Sequence, residues 1–250
     1  MKKYLFLVNW QTLTITILAL AGSFISVRFQ LKIYLDFIFL SLFIAFPLTF
    51  SLREASRKKT NAIKYLSAFN ASLQASLYCF ENSKVQGDIK IEFKSILTKT
   101  SGTLIGFLSG ERNDATAVEK AVDAVFIFVQ ANKRNFKDGL SEKILSIQND
   151  VNESIFLLLA TKRHHTPLGV RLIILFAIYL FVIFYPASVL GENEVVAFWN
   201  VFAMTAFKGL ILISLYNVQM YLEDPFDQNA PDSIRLNDFR FDGSIAGYSV

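Results

Sequence analysis

Four stretches of the sequence are long, apolar and almost free of charge: residues 4–27, 33–52, 172–191 and 195–222. Their only charged side chains are Asp36 in the second stretch and Lys208 in the fourth. A helix of about 20 residues crosses a hydrocarbon core of about 30 Å. The pattern therefore predicts four transmembrane helices. The first is too long for a signal-peptide core and precedes no convincing cleavage site, so we expect it to be retained.

The region between the second and third stretches, residues 53–170, carries most of the charge and has a helical pattern. Apolar side chains recur there at steps of three and four in three series: Ile63, Leu66, Phe69, Leu73, Leu77 and Phe80; Val118, Val122, Val125 and Val129; and Ile144, Ile147, Val151, Ile155 and Leu158. This spacing predicts a helix continuing from the second membrane helix, a helix capped near Asn113 or Asp114, and a helix begun at Ser141.

Two segments of this region have weaker patterns. Residues 88–93 alternate as a strand would, but the sequence has no partner strand, so we assign them to a helix. Gly102, Gly106 and Gly110 predict a loop-rich connection. We expect helices that grow out of the membrane bundle rather than a separate domain, and hence an all-α protein.

Basic residues indicate the orientation of the chain. They cluster on both sides of the central region: Arg53, Arg57, Lys58, Lys59, Lys64, Lys162, Arg163 and Arg171. Cytoplasmic loops are enriched in Lys and Arg, so residues 53–170 and both termini are predicted to be cytoplasmic. The resulting order is two membrane helices in 1–52, the central region, two membrane helices in 171–222, and an acidic tail in 223–250.

Composition excludes several classes of function. Of the 250 residues, 53% are hydrophobic and 18% charged, and the net charge of +4 does not indicate a nucleic-acid binder. Cys79 is the single cysteine, and His164 and His165 are adjacent, which leaves little for metal chemistry. No phosphate-binding loop, dinucleotide turn or serine elbow occurs. We therefore expect neither an enzyme nor a bound cofactor.

Three short motifs, taken in this order of helices, carry a resemblance to a known family. They are Phe46-Pro47-Leu48-Thr49-Phe50 at the end of the second helix, Thr166-Pro167-Leu168 before the third, and Glu223-Asp224-Pro225-Phe226 after the fourth. Together they resemble the bestrophin family of pentameric ion channels. The sequence departs from the family pattern at Pro47, Gly169 and Asp227, and Arg53 is displaced by two positions, so the resemblance is to a divergent member.

The resemblance implies a homopentamer in which the second helix lines the pore. Its hydrophobic neck falls on Leu42, Phe46 and Phe50, at steps of four along one helix face. Three apolar rings gate by dewetting. The alternative is that these side chains face lipid or a neighbouring helix. A second, cytoplasmic aperture falls near Leu140 and Ile144, with Ile144 the best single assignment and a helix-core role the alternative.

Charged residues suggest further sites. A ring of Asp36 at the outer entrance would attract cations, although an interfacial Asp in water is the alternative. Lys208 lies within a membrane stretch, where a lysine usually faces a polar partner or a wet cavity, and Asn9 and Gln11 are candidate partners. In animal relatives the acidic residues after the Pro-Phe pair help to bind calcium. That role falls here on Asp227, Asn229 and Asp232, and we expect calcium binding to be absent.

The sequence thus favours a passive bestrophin-like channel for chloride, other anions or monovalent cations, which contacts lipid, its own copies and small inorganic ions. The small size and short tail favour a bacterial inner membrane. A membrane-anchored scaffold or sensor without transport activity is the main alternative. A small carrier is a third, and the absence of an internal repeat counts against it.

Overall fold

A computed structural model describes residues 9–34, 37–136, 139–164, 167–192, 197–228, 230 and 233–244. Its α-helices are α1 Trp10–Phe29, α2 Phe37–Glu81, α3 Gly87–Leu108, α4 Ala115–Ala131, α5 Leu140–Arg163, α6 Leu168–Glu192 and α7 Phe198–Leu222. Short 3-10 turns lie at Lys133–Asn135 and Leu236–Phe239. Within the described residues the fold is all-α, as predicted.

Among the described residues, four helices are long and apolar enough to cross a membrane: α1, the first part of α2, α6 and α7. They coincide with the four charge-poor stretches, so that prediction is confirmed. The chain divides into two compact units, Met1–Arg57 with His165–Asp224, and Lys58–His164 with Pro225–Val250. The membrane helices make up the first unit.

In the first unit α1, α6 and α7 pack against one another around an apolar core. Gly209 on α7 allows their close approach, because a Cβ atom there would lie 2.9 Å from Val182 Cγ2 and 3.0 Å from Ile15 Cγ2. Small residues serve this purpose widely in membrane helices. At the start of α1, Asn9 and Thr12 form a capping box, which satisfies backbone donors at the helix end.

The second unit contains the later part of α2 with α3, α4, α5 and the C-terminal segment. Its core is aromatic at the centre: the ring centroids of Phe80 and Phe93 are 4.2 Å apart, and those of Phe93 and Phe128 are 5.4 Å apart. The tail adds Phe226 and Phe241 to this core, both almost fully buried. The acidic tail therefore folds onto the core of its own chain.

The helices of this unit match the predicted apolar series. Asp114 caps α4, with its side chain accepting a hydrogen bond from the Thr116 N–H at 2.9 Å. Residues 88–93 are helical, as predicted. The loop predicted from glycines is wrong, because Gly102 and Gly106 lie inside α3 and only Gly110, with φ of +82°, stands in the turn that follows. Buried neighbours on either side of the two glycines stabilise the helix there.

Candidate pore helix

The first part of α2 presents an apolar face that its own chain leaves uncovered. Leu42, Phe46 and Phe50 are 45%, 60% and 66% exposed, and they share one side of the helix. Ile38, Phe39 and Phe43 extend the exposed surface. In water so large an apolar patch would be unfavourable. On a membrane helix, such a patch can contact lipid or another copy of the chain, or it can line a narrow pore from which water is excluded.

The opposite side of α2 is fixed to the first unit. Phe37, Ile44 and Leu48 are buried in its core. The ring of Phe37 makes edge-to-face contacts with Phe181 and Tyr185 on α6, at centroid distances of 5.8 and 5.7 Å. Leu42, Phe46 and Phe50 are each two residues away from Ile44 or Leu48, which places them on the opposite side of the helix. Because Ile44 and Leu48 are buried, these three side chains point outward. The orientation of Leu42, Phe46 and Phe50 thus follows from packing on the other face.

Pro47 lies inside α2, and the helix continues through it. Proline has no N–H, so it cannot donate to the carbonyl four residues earlier. Nearby hydroxyls use backbone acceptors on the same helix: Thr49 Oγ1 donates to the Ala45 carbonyl at 2.7 Å, and Ser41 Oγ donates to the Ile38 carbonyl at 2.8 Å. The α-helix is continuous from Phe37 to Glu81 although the backbone hydrogen bond from position 47 is missing.

Just beyond Phe50, a polar contact joins α2 to α7. Gln219 is fully buried, and its Nε2 donates to Ser51 Oγ at 2.5 Å. Inside an apolar bundle a buried amide needs such a partner. The contact ties α7 to α2 at the end of its apolar part. Nothing in the sequence pattern indicated it, because Gln219 and Ser51 are separated by the whole second unit.

Lys208 has a tyrosine partner, in contrast to the sequence expectation. Its Nζ donates to Tyr185 Oη at 2.6 Å and lies 4.3 Å from the centre of the Tyr185 ring. Both side chains line a cleft of about 350 Å³ with residues of α2. Asn9 instead donates to Asn217 Oδ1 at 3.0 Å. The suggested partnership with Asn9 or Gln11 was therefore wrong, because α6 lies beside Lys208.

A buried ion pair links the ends of α6 and α7. Arg171 and Glu223 form it, with side chains 17% and 4% exposed. Glu223 begins the motif Glu223-Asp224-Pro225-Phe226, and Phe226 is fully buried in the second unit. The first residue of the motif is thus an electrostatic anchor and the last a core residue. Sequence analysis did not assign the Arg171 partner, since only the antiparallel return of the helices brings it near.

The other predicted site residues divide into three groups. Ile144 is fully buried in the core of the second unit, which agrees with its helix-core alternative, and its assignment to the aperture stays a prediction. Leu140 is partly buried and stays a predicted aperture residue. Asp227 is half-buried and its carbonyl accepts from the Ala230 N–H at 3.0 Å. Asp36, Asn229 and Asp232 lie outside the described residues, so the outer-entrance and calcium assignments stay predictions.

Comparison with known proteins shows the fold. No family model matches the sequence. No curated protein matches it. A bacterial bestrophin homolog from Klebsiella pneumoniae is similar in structure, with a TM-score of 0.78 and 16% identity over 93% of this chain and 94% of that one.

Two other solved structures agree. A variant of a bestrophin homolog from the same organism gives a TM-score of 0.75 at 14% identity, over 96% of this chain and 95% of that one. A variant described as a membrane protein gives 0.78 at 15% identity, over 93% and 94%. The similarity extends over nearly the whole chain, including both units. This integral membrane protein therefore has the bestrophin fold, in a strongly diverged sequence.

Proposed function

We propose that this protein is an ion channel and that five copies surround a pore lined by α2. The main observation in its support is the uncovered face of α2. Leu42, Phe46 and Phe50 are exposed there, whereas Ile44 and Leu48 on the opposite face are buried. The resemblance to bestrophins independently implies that the second membrane helix lines the pore. The two lines of reasoning select the same face.

The proposed mechanism needs no covalent chemistry. Five copies of Leu42, Phe46 and Phe50 form three stacked apolar rings. When the rings are narrow, water leaves the constriction and an ion must lose part of its hydration to pass. The edges of the phenylalanine rings are positive and their faces negative, so their tilt favours an anion or a cation. Ions of the selected sign then move down their gradient.

Two features bear on the sign of the permeant ion. A ring of Asp36 concentrates cations at the outer entrance, whereas the basic residues that follow Phe50, beginning with Arg53, concentrate anions at the other end. Chloride and monovalent cations are thus both candidates. The proposed location is a bacterial inner membrane, with the central region and both termini in the cytoplasm.

The test is ion flux through the purified full-length protein in liposomes, under separate sodium and chloride gradients. Phe46→Ala and Phe50→Ala are compared with Phe176→Ala on α6 and Phe207→Ala on α7. The control side chains are 63% and 67% exposed, which matches the exposure of the test pair. Each variant therefore removes the same surface area from a membrane helix, and only the test pair changes the proposed neck.

We expect the wild type to conduct, the α2 variants to change the flux at least several-fold, and the α6 and α7 variants to match the wild type. The reversal potential gives the sign of the ion. Native mass spectrometry of the same samples measures the number of copies. Flux that is absent from the wild type and both α2 variants would overturn the channel and favour the scaffold. Equal changes in all four variants would overturn the neck.

A further inference from the structure

A groove on the second unit brings together four cationic side chains from three separate parts of the chain. Lys94 and Lys99 belong to α3, Arg112 to the turn after it, and Arg240 to the C-terminal segment. They line a groove of about 600 Å³, called here the basic groove. The side chains of all four are exposed. The sequence shows no basic run at these positions, so only the fold creates the cluster.

The fold holds both arginines against α3. Phe241 is almost fully buried, and its N–H donates to Ser101 Oγ at 2.9 Å, which fixes the tail beside the helix. A Cβ atom on Gly102 would lie 3.8 Å from Arg240 Nη2, and one on Gly106 would lie 3.6 Å from Arg112 Cδ. The two glycines, one turn apart, leave a bare surface on which the arginine side chains rest.

Charge in the basic groove is poorly balanced. Within the part of the chain that the structure describes, none of the four cations takes part in an ion pair. Asp242 is the acidic neighbour. Hydrogen bonds from the Ser244 side chain and backbone lower the pKa of Asp242, and the charge of Lys94 contributes last. Asp242 thus lies near Lys94, and none of the described residues that line the basic groove is acidic.

Three hydroxyl side chains complete the polar lining: Ser95, Thr98 and Thr103. Thr98 and Thr103 donate to the carbonyls of Lys94 and Lys99, at 2.9 and 2.8 Å. These two hydroxyl groups therefore use their hydrogens within α3. The charged groups of the basic groove are the donors that face a ligand. Like charges this close repel one another, and a multivalent anion removes that repulsion.

We propose that the basic groove binds a ligand with two or more phosphate groups, either a soluble compound or a phosphorylated lipid headgroup. Guanidinium groups pair with phosphate through two parallel hydrogen bonds, and ammonium groups add point charges. The groove volume lies within the range of small-molecule sites. The site is independent of the proposed channel function, because binding is measured without ion flux.

The first experiment measures binding of inorganic tripolyphosphate to the full-length protein in phosphatidylcholine nanodiscs by calorimetry. The test variant carries Lys94→Gln, Lys99→Gln, Arg112→Gln and Arg240→Gln. A control variant loses four exposed charges elsewhere on the same unit: Lys120→Gln, Lys133→Gln, Arg134→Gln and Lys143→Gln. Net charge is thus equal in the two variants.

We expect the test variant to bind tripolyphosphate at least about 100-fold more weakly, because each charge-assisted hydrogen bond contributes roughly tenfold or more. The control should stay within about threefold, and the wild-type affinity should fall steeply with salt. A second variant, Lys94→Glu with Lys99→Glu, keeps both arginines on their glycines and should also abolish binding. Its thermal unfolding, unchanged from that of the wild type, excludes misfolding as the cause.

A second arm distinguishes the source of the phosphates. Nanodiscs are prepared with and without cardiolipin, which carries two phosphate groups. Competition between cardiolipin and tripolyphosphate in the wild type, absent in Lys94→Glu with Lys99→Glu, supports a lipid headgroup. Tripolyphosphate affinity that is the same in nanodiscs with and without cardiolipin supports a soluble ligand. The proposal is overturned when neither probe binds, or when the control variant loses binding as much as the test variant.

Discussion

Removing one member of the Arg171–Glu223 pair should destabilise the protein far more than removing both. The Glu223 side chain is 4% exposed and that of Arg171 is 17% exposed, so neither charge has full access to water. Arg171 Nε is also buried with no hydrogen-bond partner among the described residues. If Glu223 becomes neutral, the guanidinium is left with an uncompensated charge at a site already poor in acceptors.

The magnitude follows from this burial. Breaking one partner of a buried ion pair costs about 3–5 kcal/mol, whereas replacing both partners with neutral groups is often close to neutral. We expect Glu223→Gln and Arg171→Met each to lower the free energy of unfolding by about 3 kcal/mol. The double variant should lose less than either single variant, which requires a coupling energy of about 3 kcal/mol or more.

Reversible unfolding by sodium dodecyl sulfate in mixed micelles, followed by tryptophan fluorescence, measures these energies. The two tryptophans, Trp10 and Trp199, lie in α1 and α7 and report on the bundle. Arg28→Met, at the last turn of α1, is the control for loss of an arginine. A coupling energy below about 0.5 kcal/mol, the value of an exposed surface pair, would refute the reasoning.

Three further predictions test the packing and the capping. Gly209→Val should destabilise the first unit strongly, because the new side chain would overlap Val182 and Ile15, whereas Gly169→Ala, with nothing within 4 Å, should leave the unfolding curve unchanged. Ile144→Ala should lower the free energy of unfolding by about 2–5 kcal/mol without altering ion selectivity, and a changed reversal potential at unchanged stability would place Ile144 at the aperture. Asp114→Ala should lower the melting temperature at neutral pH. Hydrogen bonds from Thr116 lower the pKa of Asp114 in the folded state, so its stabilisation is present above the pKa of an unfolded aspartate, about 4, and is lost as the pH falls through the folded pKa. The melting temperatures of wild type and Asp114→Ala should therefore converge in acid, and a constant gap down to pH 2 would contradict this reasoning.

Residue patterns predicted the helices well because each pattern has a local physical cause. Charge-poor stretches of sufficient length indicated α1, α6, α7 and the first part of α2, since charged groups are costly in a membrane. Apolar spacing indicated α4 and α5 and the Asp114 cap. Gly102 and Gly106 misled the prediction, because intrinsic propensity is a weak signal where tertiary packing stabilises a helix.

Site residues were predictable only where one helix face sufficed. The shared side of Leu42, Phe46 and Phe50 follows from the period of a helix, but its exposure depends on Ile44 and Leu48 being buried in the core of the first unit. The partner of Lys208 could not be read from the sequence. Tyr185 is one of several polar side chains in the other membrane helices, and the relative rotation of α6 and α7 selects it.

The sequence by itself determined the number and membrane character of the four membrane helices, because hydrophobic burial and backbone hydrogen bonding act over a few turns. Tertiary structure alone decided which distant residues meet. It placed Arg171 beside Glu223 and Gln219 beside Ser51, and it set Arg240 across Gly102 of α3. Such contacts depend on how helices from opposite ends of the chain rotate and pack, and the residue pattern of one segment does not contain that arrangement.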